Sequence, residues 1–283
     1  MQFRVLMAAV LIGLTACSAP LASPVPQARP MPVMPSAPGS PPAPPIDPAS
    51  VVGGVRSVVK NATVSAVVYD RAIGVEPLSI KADRQFDSAS LVKLLIAIDV
   101  LETKTTQEDR KRITRMLSAS DDTAASHFWL RGGRTDIVAR MRERIGLTGT
   151  EPPANPDRWG SVRTTANDIV RVYQHVLGKL PGDDNALILT ALESAPRNAA
   201  DGFDQHFGIP DALRVPWAVK QGWGNNKQAK VVHSTGLAGP EFRYIVVLLT
   251  EHPLRTPTAT AAKAVTAGAS ALTVLFPAGK PRR

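Results

Sequence analysis

The segment Ser88–Leu101, SASLVKLLIAIDVL, decides the fold. Its apolar residues predict a buried helix that begins near Ser88. Because residues at i and i+3 share one helix face, the Lys93 amine is expected beside the Ser90 hydroxyl. A serine hydroxyl needs a neighbouring base to become a nucleophile, and a helix start offers unpaired backbone N–H groups to a developing oxyanion. The segment therefore predicts a serine nucleophile.

The spacing Ser-x-x-Lys arises easily by chance, and a second copy occurs at Ser57 and Lys60. That copy precedes the first predicted strand, in a segment without a strong helix-capping signal. Ser90, by contrast, follows a pair of strands and opens the most apolar helix of the chain. We therefore treat Ser57 as background and Ser90 as the candidate nucleophile.

The order of elements around this helix predicts the fold class. Two strands precede it, a helical block follows with breaks at Gly132-Gly133 and between residues 146 and 160, and three strands and an alanine-rich helix close the chain. This order predicts an α/β (α+β) fold, with an antiparallel sheet flanked by helices and a helical subdomain. No Gly-x-Gly-x-x-Gly or P-loop follows a strand, so nucleotide binding has no support. The predicted segments are the strands Thr63–Asp70, Pro77–Lys81, Val215–Lys220, Ala229–His233 and Tyr244–Leu249, a helix opened by a capping box at Thr165–Asp168, and a last helix at about Thr256–Leu275.

Two further motifs stand at element ends: Ser120-Asp121-Asp122 at a loop-to-helix junction, and Lys220-Gln221-Gly222-Trp223 at a strand end. With them the chain resembles the penicillin-recognising serine enzymes, and class A β-lactamases most closely, over about residues 63–276. That family has a strand pair, S-x-x-K, S-D-N and then K-T-G on a strand, with two more strands and a final helix. The chain is also similar to mycobacterial-type, alanine-rich lipoproteins that carry a β-lactamase-like domain.

The resemblance implies a role for each motif residue. Ser90 would be the acylated nucleophile and Lys93 its general base. Ser120 would relay a proton to the leaving group, and Lys220 would hold the substrate carboxylate. The backbone N–H groups of Ser90 and Trp223 would form the oxyanion hole.

The match departs from the family pattern at three positions. Asp122 stands where the family has Asn; an ionised carboxylate only accepts hydrogen bonds, and it is expected to raise the pKa of Lys93. Gln221, beside Gly222 in the substrate-binding segment, replaces a hydroxyl residue and makes the carboxylate pocket bulkier. Glu151, in Glu-Pro-Pro-Ala-Asn, echoes the E-P-x-L-N loop of class A enzymes. It is either the deacylating base or a surface residue in a proline-rich turn.

A competing K-[ST]-G-like motif occurs at His233-Ser234-Thr235-Gly236. The next predicted strand begins at Tyr244, so this motif leaves room for one strand only. Lys220-Gln221-Gly222 leaves room for two, and we therefore prefer it.

The N-terminus predicts export. Residues 1–16 read as a signal peptide, and Leu14-Thr15-Ala16-Cys17 resembles the lipobox of bacterial lipoproteins. The alternative is a plain secretory signal with a chance cysteine. We expect an acylated Cys17 followed by a proline-rich stalk over residues 17–53, a β-lactamase-like domain over 54–283, and an extracytoplasmic protein lipid-anchored to the bacterial cell membrane. Cys17 is the single cysteine of the chain, so an intrachain disulfide is excluded.

Two classes of function follow. One is a serine acyl enzyme acting on β-lactams, cell-wall peptides or related esters and amides, with little or no β-lactamase turnover. The other is a catalytically impaired member that binds wall or envelope components through the same groove. We expect no cofactor, no metal and a monomer. The net charge of +9 indicates either attraction to anionic wall polymers or lipid headgroups, or simply a soluble basic surface. Nucleic-acid binding is not favoured, because no motif for it exists.

Overall fold

The computed structural model describes residues 42–103 and 105–276. The β-strands are β1 (Thr63–Asp70), β2 (Val75–Ile80), β3 (Phe86–Asp87), β4 (Arg163–Thr164), β5 (Trp217–Asn225), β6 (Ala229–Ala238) and β7 (Tyr244–Pro253). The α-helices are α1 (Pro48–Val58), α2 (Val92–Leu101), α3 (Gln107–Ser118), α4 (Asp122–Arg131), α5 (Thr135–Ile145), α6 (Ala166–Gly178), α7 (Gly182–Glu193), α8 (Ile209–Ala212) and α9 (Thr258–Ser270). Five strands form one antiparallel sheet in the order β2-β1-β7-β6-β5, and β3 pairs with β4. The predicted fold class is confirmed.

Strand β1 shows how the sheet is buried on both faces. Val67 packs into the cluster formed with α2 and the helical block, whereas Ala66 and Val68 pack into the cluster formed with α1 and α9. Successive side chains of a strand point to opposite faces, so β1 is apolar at nearly every position. The two layers of helices therefore cover the sheet from both sides.

The strands β5, β6 and β7 are longer than predicted. The predicted end of β5 was Lys220, before two glycines, but the strand continues through Gly222 and Gly224 to Asn225. Backbone pairing with β6 holds Gly222 and Gly224 in the strand. This pairing outweighs the low strand propensity of glycine. The extension carries the candidate motif along the sheet edge rather than off its end.

The first and last helices pack closely on one face of the sheet. Gly54 of α1 meets α9 so tightly that an added Cβ would lie 2.5 Å from the carbonyl oxygen of Ala267. The alanines of α9 leave room for this approach, with Ala261 and Val265 buried beneath α1 and the sheet. Small residues at the crossing therefore set the distance between the two helices.

The folded domain includes residues before position 54, where it was expected to begin. The Asp47 side chain accepts hydrogen bonds from the N–H groups of Ala49 and Ser50, and so caps α1, in which Val51 is buried. Ser57 is thus the penultimate residue of a capped helix, and residues 48–53 belong to the domain rather than to the stalk. Cys17 lies outside the described residues. Within the described ranges, no helix has both the length and the apolar character needed to cross a bilayer.

Helix α2 lies at the centre of the helical block. All ten residues from Val92 to Leu101 are buried, including Lys93 and Asp99. The Arg140 guanidinium binds the Asp99 carboxylate through two hydrogen bonds of 2.7 and 2.8 Å, which offsets the cost of burying that charge. The predicted helix from Ser88 is divided: a 3₁₀ turn covers Ala89–Leu91, and the α-helix begins at Val92.

The capping box predicted at Thr165 forms only in part. The Thr165 hydroxyl accepts from the Asp168 N–H at 3.1 Å, as expected for the start of α6. The Asp168 carboxylate instead accepts from the Gly149 N–H at 2.8 Å and from the Thr150 hydroxyl at 2.7 Å. Because those partners lie in the preceding loop, the carboxylate ties that loop to α6.

Candidate active site

Ser90 lies in the short connection between strand β3 and helix α2. The 3₁₀ turn that carries it has Ala89 in the left-handed region, with φ of 45°. A non-glycine residue held there costs of order 1–3 kcal/mol, and such strain is concentrated at functional sites. Ser90 is largely buried but lines a pocket of about 210 Å³. Its Oγ lies 3.0 Å from the Lys93 Nζ, so the predicted Ser90–Lys93 pair is formed.

The Lys93 ammonium is enclosed by oxygen atoms. Besides Ser90 Oγ, its Nζ contacts the Ser120 carbonyl oxygen at 2.6 Å, Ser120 Oγ at 3.1 Å and Asp122 Oδ1 at 2.6 Å. Burial lowers the pKa of Lys93, and the nearby Asp122 carboxylate opposes that shift. Asp122 does favour a higher pKa of Lys93, as expected from sequence. The net shift is nevertheless downward, because desolvation of the fully buried amine outweighs the effect of the carboxylate.

The Ser120 hydroxyl lies between two lysines. Its Oγ is 3.1 Å from the Lys93 Nζ and 2.9 Å from the Lys220 Nζ. Ser120 has φ of 56°, and the following Asp121 caps α4 by accepting from the N–H of Thr123. The cap and the strained backbone together fix the serine in front of the sheet edge.

The Lys220 side chain is buried and, unlike Lys93, has no carboxylate among its hydrogen-bond partners, which are Ser120 Oγ and the Gln221 carbonyl oxygen at 3.0 Å. Burial sets the pKa of Lys220 well below its ordinary value, and the positive charge of Lys93 lowers it further. Of the two lysines, Lys220 therefore gives up its proton more readily. The arrangement is a continuous chain from Ser90 through Lys93 and Ser120 to Lys220.

The backbone of β5 presents the Trp223 N–H at the open sheet edge. The Asn226 N–H donates to the Ala229 carbonyl oxygen at 3.0 Å, and the β5–β6 pairing continues from there without a register shift. Counting back from Asn226 in steps of two, the N–H groups of Gly224 and Gly222 also point toward β6. The N–H of Trp223, which lies between these two glycines, points away from β6. Since β5 is the edge strand, this N–H is free to face the pocket, which Trp223 lines.

Gly222 allows this edge to approach the nucleophile turn. A Cβ at that position would lie 3.0 Å from the Ser88 carbonyl oxygen and 3.3 Å from Leu91 Cγ. Both of these residues flank Ser90. A side chain here would push β5 away from the turn, so glycine is a requirement of close packing.

Gln221 does not line the pocket. Its amide nitrogen donates to the carbonyl oxygens of Gln205 at 3.1 Å and Phe207 at 2.5 Å, on the other side of the strand. The expectation that Gln221 makes the pocket bulkier is wrong, because the side chain is held by the loop that leads to α8. Its Oε1 is buried without a hydrogen-bond partner.

Glu151 also stays away from the pocket. The Glu151 N–H donates to the Arg163 carbonyl oxygen, with 3.0 Å between nitrogen and oxygen, and the Arg163 N–H donates to the Glu151 carbonyl oxygen at 2.9 Å. The Glu151 side chain is exposed. The loop segment that lines the pocket is 157–161, where Gly160 follows Trp159. The Trp159 ring centroid lies 5.0 Å from the Lys93 Nζ. Of the two alternatives for Glu151, the structure favours the surface residue.

The structure adds pocket residues that sequence reasoning missed. Asp87 accepts from Arg163 at 3.0 Å, and Asp201 accepts from the Trp223 indole nitrogen at 3.0 Å. No local motif marks either one. The full set that sequence reasoning did not assign to the site is Asp87, Asp157, Arg158, Asp201, Gly224, Asn225 and Val231, with Ala89, Trp159, Gly160 and Ser161 from the two 3₁₀ turns.

The competing motifs lie elsewhere. The Ser57 hydroxyl donates to the Gly54 carbonyl oxygen at 2.7 Å on the surface of α1. His233 lies within β6, is buried, and contacts the Asp87 carbonyl oxygen through Nε2 at 2.8 Å; burial lowers its pKa to about 4. Among the residues that the structure describes, no three His, Cys, Asp or Glu side chains come together as ligands of a metal ion would.

Comparison with known proteins agrees with this geometry. A model of the "Beta-lactamase enzyme family" matches residues 107–273. "Putative lipoprotein LppW" of Mycobacterium tuberculosis and of Mycobacterium bovis is 39% identical over 230 residues, covering 77% of this chain and 71% of the relative.

Solved structures share the fold at low sequence identity. The β-lactamase from Streptomyces albus G superposes with a TM-score of 0.61 and 19% identity, over 77% of this chain and 96% of that one. A variant of PBP-A, solved as an acyl-enzyme complex with penicillin G, gives a TM-score of 0.61 and 16% identity, over 81% and 97% of the two chains.

Proposed function

The chain belongs to the beta-lactamase enzyme family, and we propose that its domain is a serine acyl enzyme in which Ser90 attacks the carbonyl carbon of β-lactams, cell-wall peptides or related esters and amides. The observation that carries this proposal is the chain of contacts Ser90–Lys93–Ser120–Lys220, with successive distances of 3.0, 3.1 and 2.9 Å. Each link is short enough for proton transfer.

The Ser90 proton leaves through the two lysines. Asp122 holds the Lys93 ammonium, while burial lowers the pKa of Lys220, so the proposal takes Lys220 as the proton acceptor of the pair. As Ser90 Oγ bonds to the carbonyl carbon, its proton passes to Lys93 while Lys93 donates to Ser120 and Ser120 donates to Lys220. When its bond to carbon breaks, the leaving nitrogen or oxygen takes a proton from Ser120, and Lys220 returns its proton to Ser120. The N–H of Trp223 stabilises the oxyanion.

Deacylation makes a different demand, since it needs a base that positions water. The carboxylates that line the pocket are engaged: Asp122 with Lys93, Asp87 with Arg163, and Asp157 with Arg134. The indole of Trp223 binds Asp201. We therefore expect an acyl-enzyme that persists for hours rather than rapid turnover.

Intact-protein mass spectrometry tests the proposal. Incubation with a penicillin should add one ligand mass, located to the peptide that contains Ser90. Ser90→Ala should lose the adduct, and Ser57→Ala, the matched Ser-x-x-Lys control, should keep it. An adduct that survives Ser90→Ala would refute the assignment of the nucleophile.

A binding protein without turnover is the second candidate. It is favoured by the Asp122 carboxylate, which holds Lys93 as an ammonium and so opposes its use as a base. Absence of an adduct with every β-lactam and activated ester in a panel, from a correctly folded protein, would select this candidate. Its ligand would then be a cell-wall component bound in the same pocket.

The proposed location is the outer surface of the cell membrane, with a lipid anchor on Cys17 and the domain acting as a monomer toward the wall. Two observations support the anchor: the lipobox-like Leu14-Thr15-Ala16-Cys17 and the lipoprotein name of the mycobacterial relative. A stalk of proline-rich sequence over residues 18–45 would hold the domain away from the bilayer.

A further inference from the structure

The lining of the pocket at Ser90 is rich in carboxylates although the chain as a whole is basic. Its lining contains four carboxylates, Asp87, Asp122, Asp157 and Asp201, against the single guanidinium of Arg158. The chain carries a net charge of +9. Three of these carboxylates are paired with cations, Asp122 with Lys93, Asp87 with Arg163 and Asp157 with Arg134. Asp201 is the one whose hydrogen-bond partners are neutral, so its charge is the one that a substrate meets uncompensated.

Asp122 and Asp201 face outward, whereas the two lysines face inward. The Asp122 side chain is 71% exposed, while its partner Lys93 is 0% exposed. The ion pair thus presents its negative end to the pocket. Asp201, also exposed, is held by two neutral donors, the Trp223 indole at 3.0 Å and the Phe203 N–H at 2.9 Å, so these partners do not offset its charge.

The lysines offer little to an anionic group. The Lys220 Nζ is buried behind Ser120, and Gly222 and Gln221 contribute no side-chain donor to the pocket. Burial and the charge of Lys93 lower the pKa of Lys220, which weakens it further as a carboxylate anchor. The role of carboxylate holder, inferred for Lys220 from sequence, therefore fits this geometry poorly.

Two indole rings line the same pocket as the carboxylates. The Trp159 ring centroid is 5.0 Å from the Lys93 Nζ. The Trp223 ring centroid is 6.0 Å from the Lys220 Nζ, and this ring also packs against Phe203 with the centroids 5.1 Å apart. Indole faces and carboxylates together recognise ammonium groups in proteins. The Asp201–Trp223 hydrogen bond joins one member of each kind into a single unit.

We propose that the pocket selects substrates with a cationic ammonium group near the reactive carbonyl, and disfavours those with a carboxylate there. Asp201, held by the Trp223 indole N–H, and the Trp159 ring are the specificity-determining groups. This inference rests on the proposed function, because attack by Ser90, which lines the pocket, would bring the reactive carbonyl into it. It concerns the charge of the substrate and not the acylation chemistry.

Isosteric esters isolate the charge. The p-nitrophenyl esters of trimethylammonioacetic acid and 3,3-dimethylbutanoic acid have the same shape and differ by one positive charge; the hemisuccinate ester supplies a negative charge. Acyl-enzyme formation is followed by intact mass, and each rate is divided by that ester's alkaline hydrolysis rate. We expect the cationic ester to exceed the neutral one by about tenfold at low salt, with the ratio falling as salt rises.

Matched variants locate the effect. Asp201→Asn should reduce the cationic-to-neutral ratio about fivefold, because Asn keeps an oxygen acceptor for the indole N–H but loses the charge. Asp183→Asn, on the exposed first turn of α7, should leave the ratio unchanged. Equal normalised rates for the three esters in the wild type would overturn the charge selection while leaving the acyl-transfer function in place.

A binding measurement keeps the inference testable if no ester acylates Ser90, an outcome that would refute the proposed function. Choline and its neutral isostere 3,3-dimethylbutanol are titrated against tryptophan fluorescence. Preferential binding of choline, lost in Asp201→Asn, supports the cationic pocket without any chemistry at Ser90. Equal binding of the two, or preference for an anion such as acetate, overturns it.

Discussion

Replacing Asp122 by asparagine tests the electrostatics of the lysine pair. The substitution keeps the shape of the side chain and removes the carboxylate that contacts the Lys93 Nζ at 2.6 Å. At that separation, Coulomb's law gives about 6 kcal/mol for an effective dielectric of 20 and about 1.6 kcal/mol in water. Because Asp122 is 71% exposed, solvent screening brings the value close to the lower limit, and we take about 2 kcal/mol.

This free energy corresponds to about 1.5 units in the pKa of the lysine pair. Without Asp122, the pair binds its resting proton less tightly, so the basic form of the relay survives to lower pH. The acid limb of the pH–rate profile for acylation should therefore move down by about 1.5 units, with rates below the limb rising up to about 30-fold. On the alkaline plateau the two proteins should converge.

The assay uses a neutral ester, p-nitrophenyl acetate, so that the charge of the pocket does not enter. Acyl-enzyme is quantified by intact mass after timed quenching between pH 5 and 9. Asp157→Asn is the matched control, because Asp157 also lines the pocket but pairs with Arg134. An acid limb that stays in place or moves up in Asp122→Asn, with the fold intact, would refute the reasoning.

Four further predictions rest on single features. Burial lowers the pKa of His233 to about 4, below the ordinary value of 6.5, so the unfolded state binds this proton at a higher pH than the folded state does. The free energy of unfolding should therefore fall by about 3 kcal/mol as the pH drops from 7 toward 4. In urea titrations, His233→Gln should make this pH dependence less steep. Gly222→Ala should slow acylation about tenfold and cost about 1–2 kcal/mol, because its Cβ would meet the Ser88 carbonyl oxygen; an unchanged rate and melting temperature would contradict the packing. Glu151→Ala should leave the lifetime of any acyl-enzyme unchanged, whereas rapid nitrocefin hydrolysis that disappears in this variant would make Glu151 the deacylating base. Cys17→Ala should abolish metabolic labelling by fatty acid, and labelling that persists would exclude the lipid anchor.

The parts of the site that sequence could predict are those set by short spacing. Ser90 and Lys93 are three residues apart at the start of one helix, so local geometry brings them together. Ser120 and Lys220 were identified by the order of motifs along the chain, and the sheet brings Lys220 to Ser120 across 100 positions. Residues fixed by both spacing and order were therefore recovered.

The parts that sequence missed depend on tertiary contacts. Asp201 follows α7 in an irregular loop, and its place beside Trp223 depends on how that loop packs. Gln221 was assigned to the pocket because it follows Lys220 in the motif, but neighbouring residues of a strand face opposite sides. Glu151 matches a loop motif by letters alone, and its backbone pairing with Arg163 keeps it out of the site.

The departures from the family pattern are consistent with altered specificity rather than lost chemistry. Asp122 in place of an amide removes a donor, and Gln221 is turned away, so both changes weaken the binding of an anionic group. None of them breaks the contacts from Ser90 to Lys220. Burying two amines beside each other costs free energy through desolvation and like-charge repulsion, and a pocket that only bound a ligand would gain nothing from that cost. The retained lysine pair therefore favours an acyl enzyme whose substrate differs in charge.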